Sequence, residues 1–128
     1  MSRDIKFRVW DSQENTMFYN EDILSISFSE NFIRIENEKY AFNSYLDEVI
    51  LMQYIGIKDC NGKKIYVADI VEDNFGDRYE VVFEDYKFNL KDFYCGCFDN
   101  PNDGFSELRD KLKVIGNIFE DGDLMEGR

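Results

Sequence analysis

The chain has 128 residues, with 15 basic against 27 acidic side chains, a net charge of −12 and no histidine. That is one domain's worth of chain, long enough to bury roughly two-thirds of its unfolded surface. The acidic balance argues against a general nucleic-acid binder. The missing imidazole removes every Ser-His or Cys-His nucleophile and every His-containing metal site.

Ile5, Phe7 and Val9 alternate with Lys6, Arg8 and Trp10, the period of a half-buried strand. Arg8 and Trp10 then share a face, close enough for a cation–π contact. They either form a ligand-facing patch or cover the sheet. Asp11 to Asn15 is polar loop, and Met17-Phe18-Tyr19 pairs back as a first hairpin. Ile23 to Phe28 alternates again, with Ile26 and Phe28 on one side and Ser25 and Ser27 on the other. Phe32 to Ile35 returns as a second hairpin. Ser44 could cap one short helical turn over Asn43 to Glu48.

Leu51 to Ile55 is an apolar run ended by Gly56. Asp59-Cys60-Asn61-Gly62-Lys63 follows, and Asn-Gly suits the positive-φ positions of a tight turn. Ile65 to Val71 resumes the β pattern, broken by Glu72 to Asp77. Arg78 to Phe83 buries Tyr79, Val81 and Phe83, and Phe88 to Leu90 returns. Asp69 to Leu90 thus reads as three antiparallel strands, the meander of a small barrel. Phe93 to Phe98 is aromatic and cysteine-bearing, and Asn100 to Gly104 is loop. Ser106 to Leu112 is the best helix. Lys113 to Phe119 closes as a strand, with Gly116 marking a bulge or a close backbone approach. Glu120 onward reads as a frayed tail.

Three stretches together resemble the YopX family of phage and prophage proteins. Lys6-Phe7-Arg8-Val9-Trp10-Asp11 is similar to its amino-terminal motif, and Val114 to Glu120 to its carboxy-terminal one. Between them, Gln53 to Val71 matches Gln-Tyr-x-Gly-x-Lys-Asp-x-Asn-Gly-Lys-x-Ile-Tyr-x-x-Asp-Ile-Val. Two departures stand out. Ala68 occupies a position where the family usually has Gly, and Asp121-Gly122-Asp123-Leu124 replaces Asn-Pro-Glu-Leu. The resemblance implies a phage or prophage origin and a cytosolic home. It carries over no catalytic residue, since the family has no assigned activity.

Few constellations could carry chemistry. Asp69 sits in an apolar strand and is the best candidate acid; alternatively it accepts turn amides, as Asp59 would at the mouth of its turn. Cys95-x-Cys97 has the wrong spacing for a zinc pair, and Asp99 to Gly104 only partly imitates a calcium loop. Gly56 to Lys63 has the wrong gap for a phosphate-binding loop. Lys58, Lys63 and Lys64 with Tyr54 and Tyr66 make a basic-aromatic spot where bases or a partner's carboxylates could dock, or a solvated hairpin tip. Three cysteines, no long apolar run and no signal segment fit a reducing cytoplasm.

The expectation is a single mainly β domain with a small, partly open antiparallel barrel. Residues 1–48 form amino-terminal hairpins, 49–120 the barrel core and 121–128 a frayed tail, with one or two short helices. No catalytic residue, cofactor or metal is expected. Arg8, Trp10, Tyr54, Lys58, Asp59, Lys63, Tyr66 and Asp69 are the candidate interaction or turn-fixing positions. The functional expectation is a non-enzymatic phage or prophage accessory protein that binds a protein partner or itself as a homo-oligomer, without direct nucleic-acid or membrane binding. The alternative is an acidic DNA mimic or a nucleic-acid-associated phage factor.

Overall fold

A computed structural model describes residues 5–84, 87–92 and 111–126. The expected aromatic run Phe93 to Phe98, the Asn100 to Gly104 loop, the calcium-like segment and all but the end of the Ser106 to Leu112 helix lie outside the described residues. The fold is mainly β, with a curled half-barrel sheet and few helical residues, as the sequence pattern predicts. No helix among the described residues is long and apolar enough to cross a membrane. The chain divides into two compact units at Gln53/Tyr54.

The first unit runs from Ile5 to Gln53. Strand β1 (Phe7–Asp11) pairs antiparallel with β2 (Thr16–Phe18) on one side and with the start of β6 (Ile50–Lys58) on the other. A central strand has neighbours at both edges, and here both faces are covered as well. Arg8, Val9, Trp10 and Asp11 are all buried, so β1 is not the half-buried strand its alternation suggests. A second sheet runs β3 (Ile23–Ser27), β4 (Phe32–Glu36), β5 (Ala41–Tyr45), with β4 central.

Val9, Phe18, Ile33 and Ile35 form the core of this unit. Phe18 meets Tyr40 and Phe42 edge-on, with ring centroids 5.0 and 5.6 Å apart, the arrangement that aromatic quadrupoles favour. Two expectations change here. The β3 ladder slips between Ile23 and Ser25, and the strand ends at Ser27. Phe28 therefore does not follow Ile26 inward and is 67% exposed. Ser44 lies inside β5, so it caps nothing; the helical turn is a 3-10 turn at Leu46–Glu48 that starts after Tyr45.

The second unit begins at Tyr54. The end of β6 pairs with β7 (Lys64–Tyr66). Strands β8 (Asp69–Glu72), β9 (Arg78–Glu84) and β10 (Lys87–Asp92) form the expected antiparallel meander, and β11 (Lys113–Asn117) closes on β8. Ile65, Val71, Val81, Leu90 and Leu112 are its most deeply buried core side chains.

Phe83 departs from the expected buried face. It stands at the end of β9, 56% exposed, against the Phe88 ring at 5.1 Å. The carboxy-terminal stretch is not frayed through Glu126. The Leu124 carbonyl accepts the Arg78 guanidinium at 2.7 Å, and one helical turn spans Asp123–Glu126.

Candidate functional site

Two turns in the second unit share one construction. In Asp59-Cys60-Asn61-Gly62-Lys63, the Asp59 Oδ1 accepts the amides of Asn61 and Lys63, both at 2.8 Å. The Asp59 amide donates to the Lys63 carbonyl, and the Gly62 amide returns to Asp59. In Asp73-Asn74-Phe75-Gly76-Asp77, Asp73 Oδ1 accepts Phe75 at 2.9 Å and Asp77 at 3.0 Å, with the same two backbone bonds. Gly62 and Gly76 supply the positive φ, +83° and +87°. The remaining oxygens tie each turn to a strand. Asp59 Oδ2 accepts the Val114 amide of β11 at 2.9 Å, and Asp73 Oδ2 accepts the Tyr79 hydroxyl of β9 at 3.2 Å.

Asp69 is 2% exposed, and its Oδ2 accepts the Tyr66 amide at 2.8 Å. That bond closes the Tyr66-Val67-Ala68-Asp69 bend, in which Ala68 takes φ +78°. The left-handed conformation that glycine would adopt freely is kept by alanine here. The Ala68 amide and carbonyl are both used, by the Val81 carbonyl at 2.7 Å and the Ile118 amide at 3.0 Å. Asp59 and Asp69 are thus placed as acceptors for main-chain amides. Among the described residues no group of three His, Cys, Asp or Glu side chains is arranged to hold a metal.

The remaining sequence candidates fall in different surroundings. Arg8 is 2% exposed with its guanidinium carbon 5.9 Å from the Tyr19 ring centroid, and Trp10 is buried on the same strand. Neither offers an open ligand-facing patch. Tyr54 and Tyr66 are cross-strand partners with ring centroids 5.8 Å apart, yet both are buried. Bases cannot stack on rings that are covered. Lys58 and Lys63 are exposed, and Lys64 Nζ lies 6.0 Å from the Tyr54 centroid.

Three features escaped the sequence reading. Asp73 repeats the Asp-x-x-Gly spacing of Asp59, a signal that was there to be read. Asn117 accepts the Phe119 and Glu120 amides at 3.0 and 2.9 Å while its own amide reaches Asp121 Oδ2 at 3.2 Å. The third feature is an open cleft of about 400 Å³ in the first unit, lined by Glu30, Phe32, Asn43, Ser44 and Tyr45. It depends on the register that sets Phe32 beside Tyr45.

A family model described as YopX protein matches residues 6–126. Among solved structures, protein EF1440 from Enterococcus faecalis aligns with a TM-score of 0.66 and 24% identity, covering 97% of this chain and 99% of that one. Protein yopX from Bacillus subtilis aligns with a TM-score of 0.62 and 22% identity, covering 93% and 96%. A search of curated proteins found no match.

Proposed function

This chain belongs to the YopX family, and from that premise we propose that it is a phage or prophage accessory protein that acts by binding protein, a partner or itself, without catalysing a reaction. The observation that carries this reading is the set of large apolar side chains left outside on the three-stranded sheet and at the loop that follows its first strand. Leu24, Phe28 and Tyr45 are 59%, 67% and 59% exposed. Large apolar side chains left in water within one small unit are a usual mark of a surface that is covered in use. The candidate acids support the same reading, since Asp59 and Asp69 serve main-chain amides, as Asp73 does in its own turn.

The test is capture of the tagged protein from host lysate, with and without nuclease, followed by reconstitution from purified components. A protein retained after nuclease and recovered at fixed stoichiometry on reconstitution is the expected result. Retention of nucleic acid alone would overturn the reading.

A second reading, a DNA mimic, rests on the net charge of −12. Four acidic residues, Asp11, Asp59, Asp69 and Asp73, are buried and cannot contribute to a phosphate-like surface. A mimic would bind a DNA-binding protein in competition with DNA.

A further inference from the structure

We infer that the cleft on the β3–β4–β5 sheet receives a lysine side chain, and that the lysine-bearing hairpin tip of a second copy of this chain supplies it. The inference deepens the protein-binding reading above and rests on it.

The chemistry of the cleft is that of an ammonium site. Phe32 and Tyr45 are cross-strand partners and provide aromatic walls, with Tyr45 59% exposed. Glu30 is exposed, lines the cleft and makes no ion pair among the described residues. Its backbone is held by the Ser27 hydroxyl, which accepts the Glu30 amide at 3.2 Å, and by Asn31, whose carbonyl accepts the Leu46 amide at 3.0 Å. A lysine stem lies well along aromatic rings while its ammonium meets a carboxylate and the ring faces. A carboxylate ligand would meet Glu30 instead. The nearby cation, Arg34, is held by Glu36 at 2.9 Å and donates its other terminal nitrogen to the Asn43 side-chain oxygen on the cleft lining at 3.5 Å, so it borders the cleft already neutralised.

The chain carries the complementary half on its other unit. Lys58 and Lys64 face each other across the β6–β7 hairpin, with Lys63 next to them. Like charges directly opposite on a sheet cost stability, so the arrangement favours an arriving anion. The one acidic side chain within the turn, Asp59, is buried with both oxygens used. The tip is therefore a positive point on a chain of net charge −12. Its turn is braced by the Asp59 bonds, which limits the ordering cost of docking. A tip-to-cleft contact joins two different surfaces, so it either links chains head to tail or, made reciprocally, pairs two chains through two copies of itself.

Sedimentation velocity of the full chain at about 100 µM, above the micromolar Kd of a weak specific contact, tests this in low and high salt. The wild type should assemble in low salt and dissociate as salt rises. Lys58→Glu/Lys63→Glu, Glu30→Lys and Tyr45→Ala should each weaken assembly about tenfold or more. All these positions are exposed, and circular dichroism confirms the fold of each variant. Mixed one to one, the lysine-tip variant and Tyr45→Ala retain one working cleft and one working tip. They should form a complex of two chains and stop there.

A wild type that stays a single chain in low salt would overturn the inference while leaving binding to another protein standing. Assembly unchanged by the substitutions, or a mixture that stays monomeric, would show that the contact lies elsewhere.

Discussion

The Asp59 carboxylate accepts the Val114 amide at 2.9 Å across 55 residues of sequence, so the turn at 59–63 is stapled to strand β11. The other oxygen of the same side chain shapes the turn itself. Asn in this position keeps one acceptor oxygen but turns an NH₂ toward the Val114 amide. Asp59→Asn should therefore destabilise the protein by about 2 kcal/mol, the cost of leaving a buried donor unmet. The shift in urea midpoint measures it. An unchanged midpoint would mean that the carboxylate is not holding the turn.

Ala68 sits at φ +78° in the bend before Asp69. A Cβ in the left-handed region costs about 1 kcal/mol or more, which glycine does not incur. Ala68→Gly should raise stability by a smaller amount, about 0.5 kcal/mol, once its extra unfolded-state entropy is counted. Thermal unfolding of the two proteins side by side is the check, and a less stable variant would contradict the account.

Gly116 is required for a different reason. A Cβ there would lie 2.5 Å from Asp121 Oδ2 and 2.8 Å from Asp121 Cβ. Gly116→Ala must displace Asp121, which also accepts the Asn117 amide. The expected loss is about 1–3 kcal/mol. In an Asp121→Gly background the same substitution should cost much less, because the obstacle is gone. A double-mutant cycle with no coupling would show that the crowding does not matter.

Much of this architecture was legible in the sequence. Period-2 alternation placed the meander from Asp69 to Leu90, and Asn61-Gly62 placed the turn of the β6–β7 hairpin before it. Gly116 read as a bulge or close approach and is both, with the ladder slipping between Val114 and Gly116. What failed did so at strand ends. Alternation alone puts Phe28 and Phe83 inside, but Phe28 falls just past the end of β3 and Phe83 next to the end of β9, and both are exposed. The alternation of β1 looked one-sided, because a pattern cannot say that Arg8 has a Tyr19 ring to lie on. The cleft was illegible because it needs the cross-strand register that brings Phe32 to Tyr45, which neither segment reveals by itself.

Glu80 lies in β9 opposite Lys91. Burial raises its pKa above the ordinary value; Lys91 offsets this in part, and Glu84 adds to it. The folded protein therefore holds this proton to higher pH than the unfolded chain does. Stability from Glu80 is full below the unfolded pKa and is lost as pH rises through the raised folded value. Glu80→Gln should raise the urea midpoint modestly at pH 7, less than burial alone suggests because solvent still reaches the residue. At about pH 3, where both forms are neutral, the two proteins should match. A gain that persists unchanged at low pH would assign the effect to something other than charge.

The most direct test of the central claim, that this chain works through protein contacts, is sedimentation of the purified protein alone and mixed with whatever purified protein it captures. The account predicts a defined species heavier than a single 15.2 kDa chain in at least one of the two samples. A lone single-chain species in both, at concentrations up to about 100 µM, would contradict it.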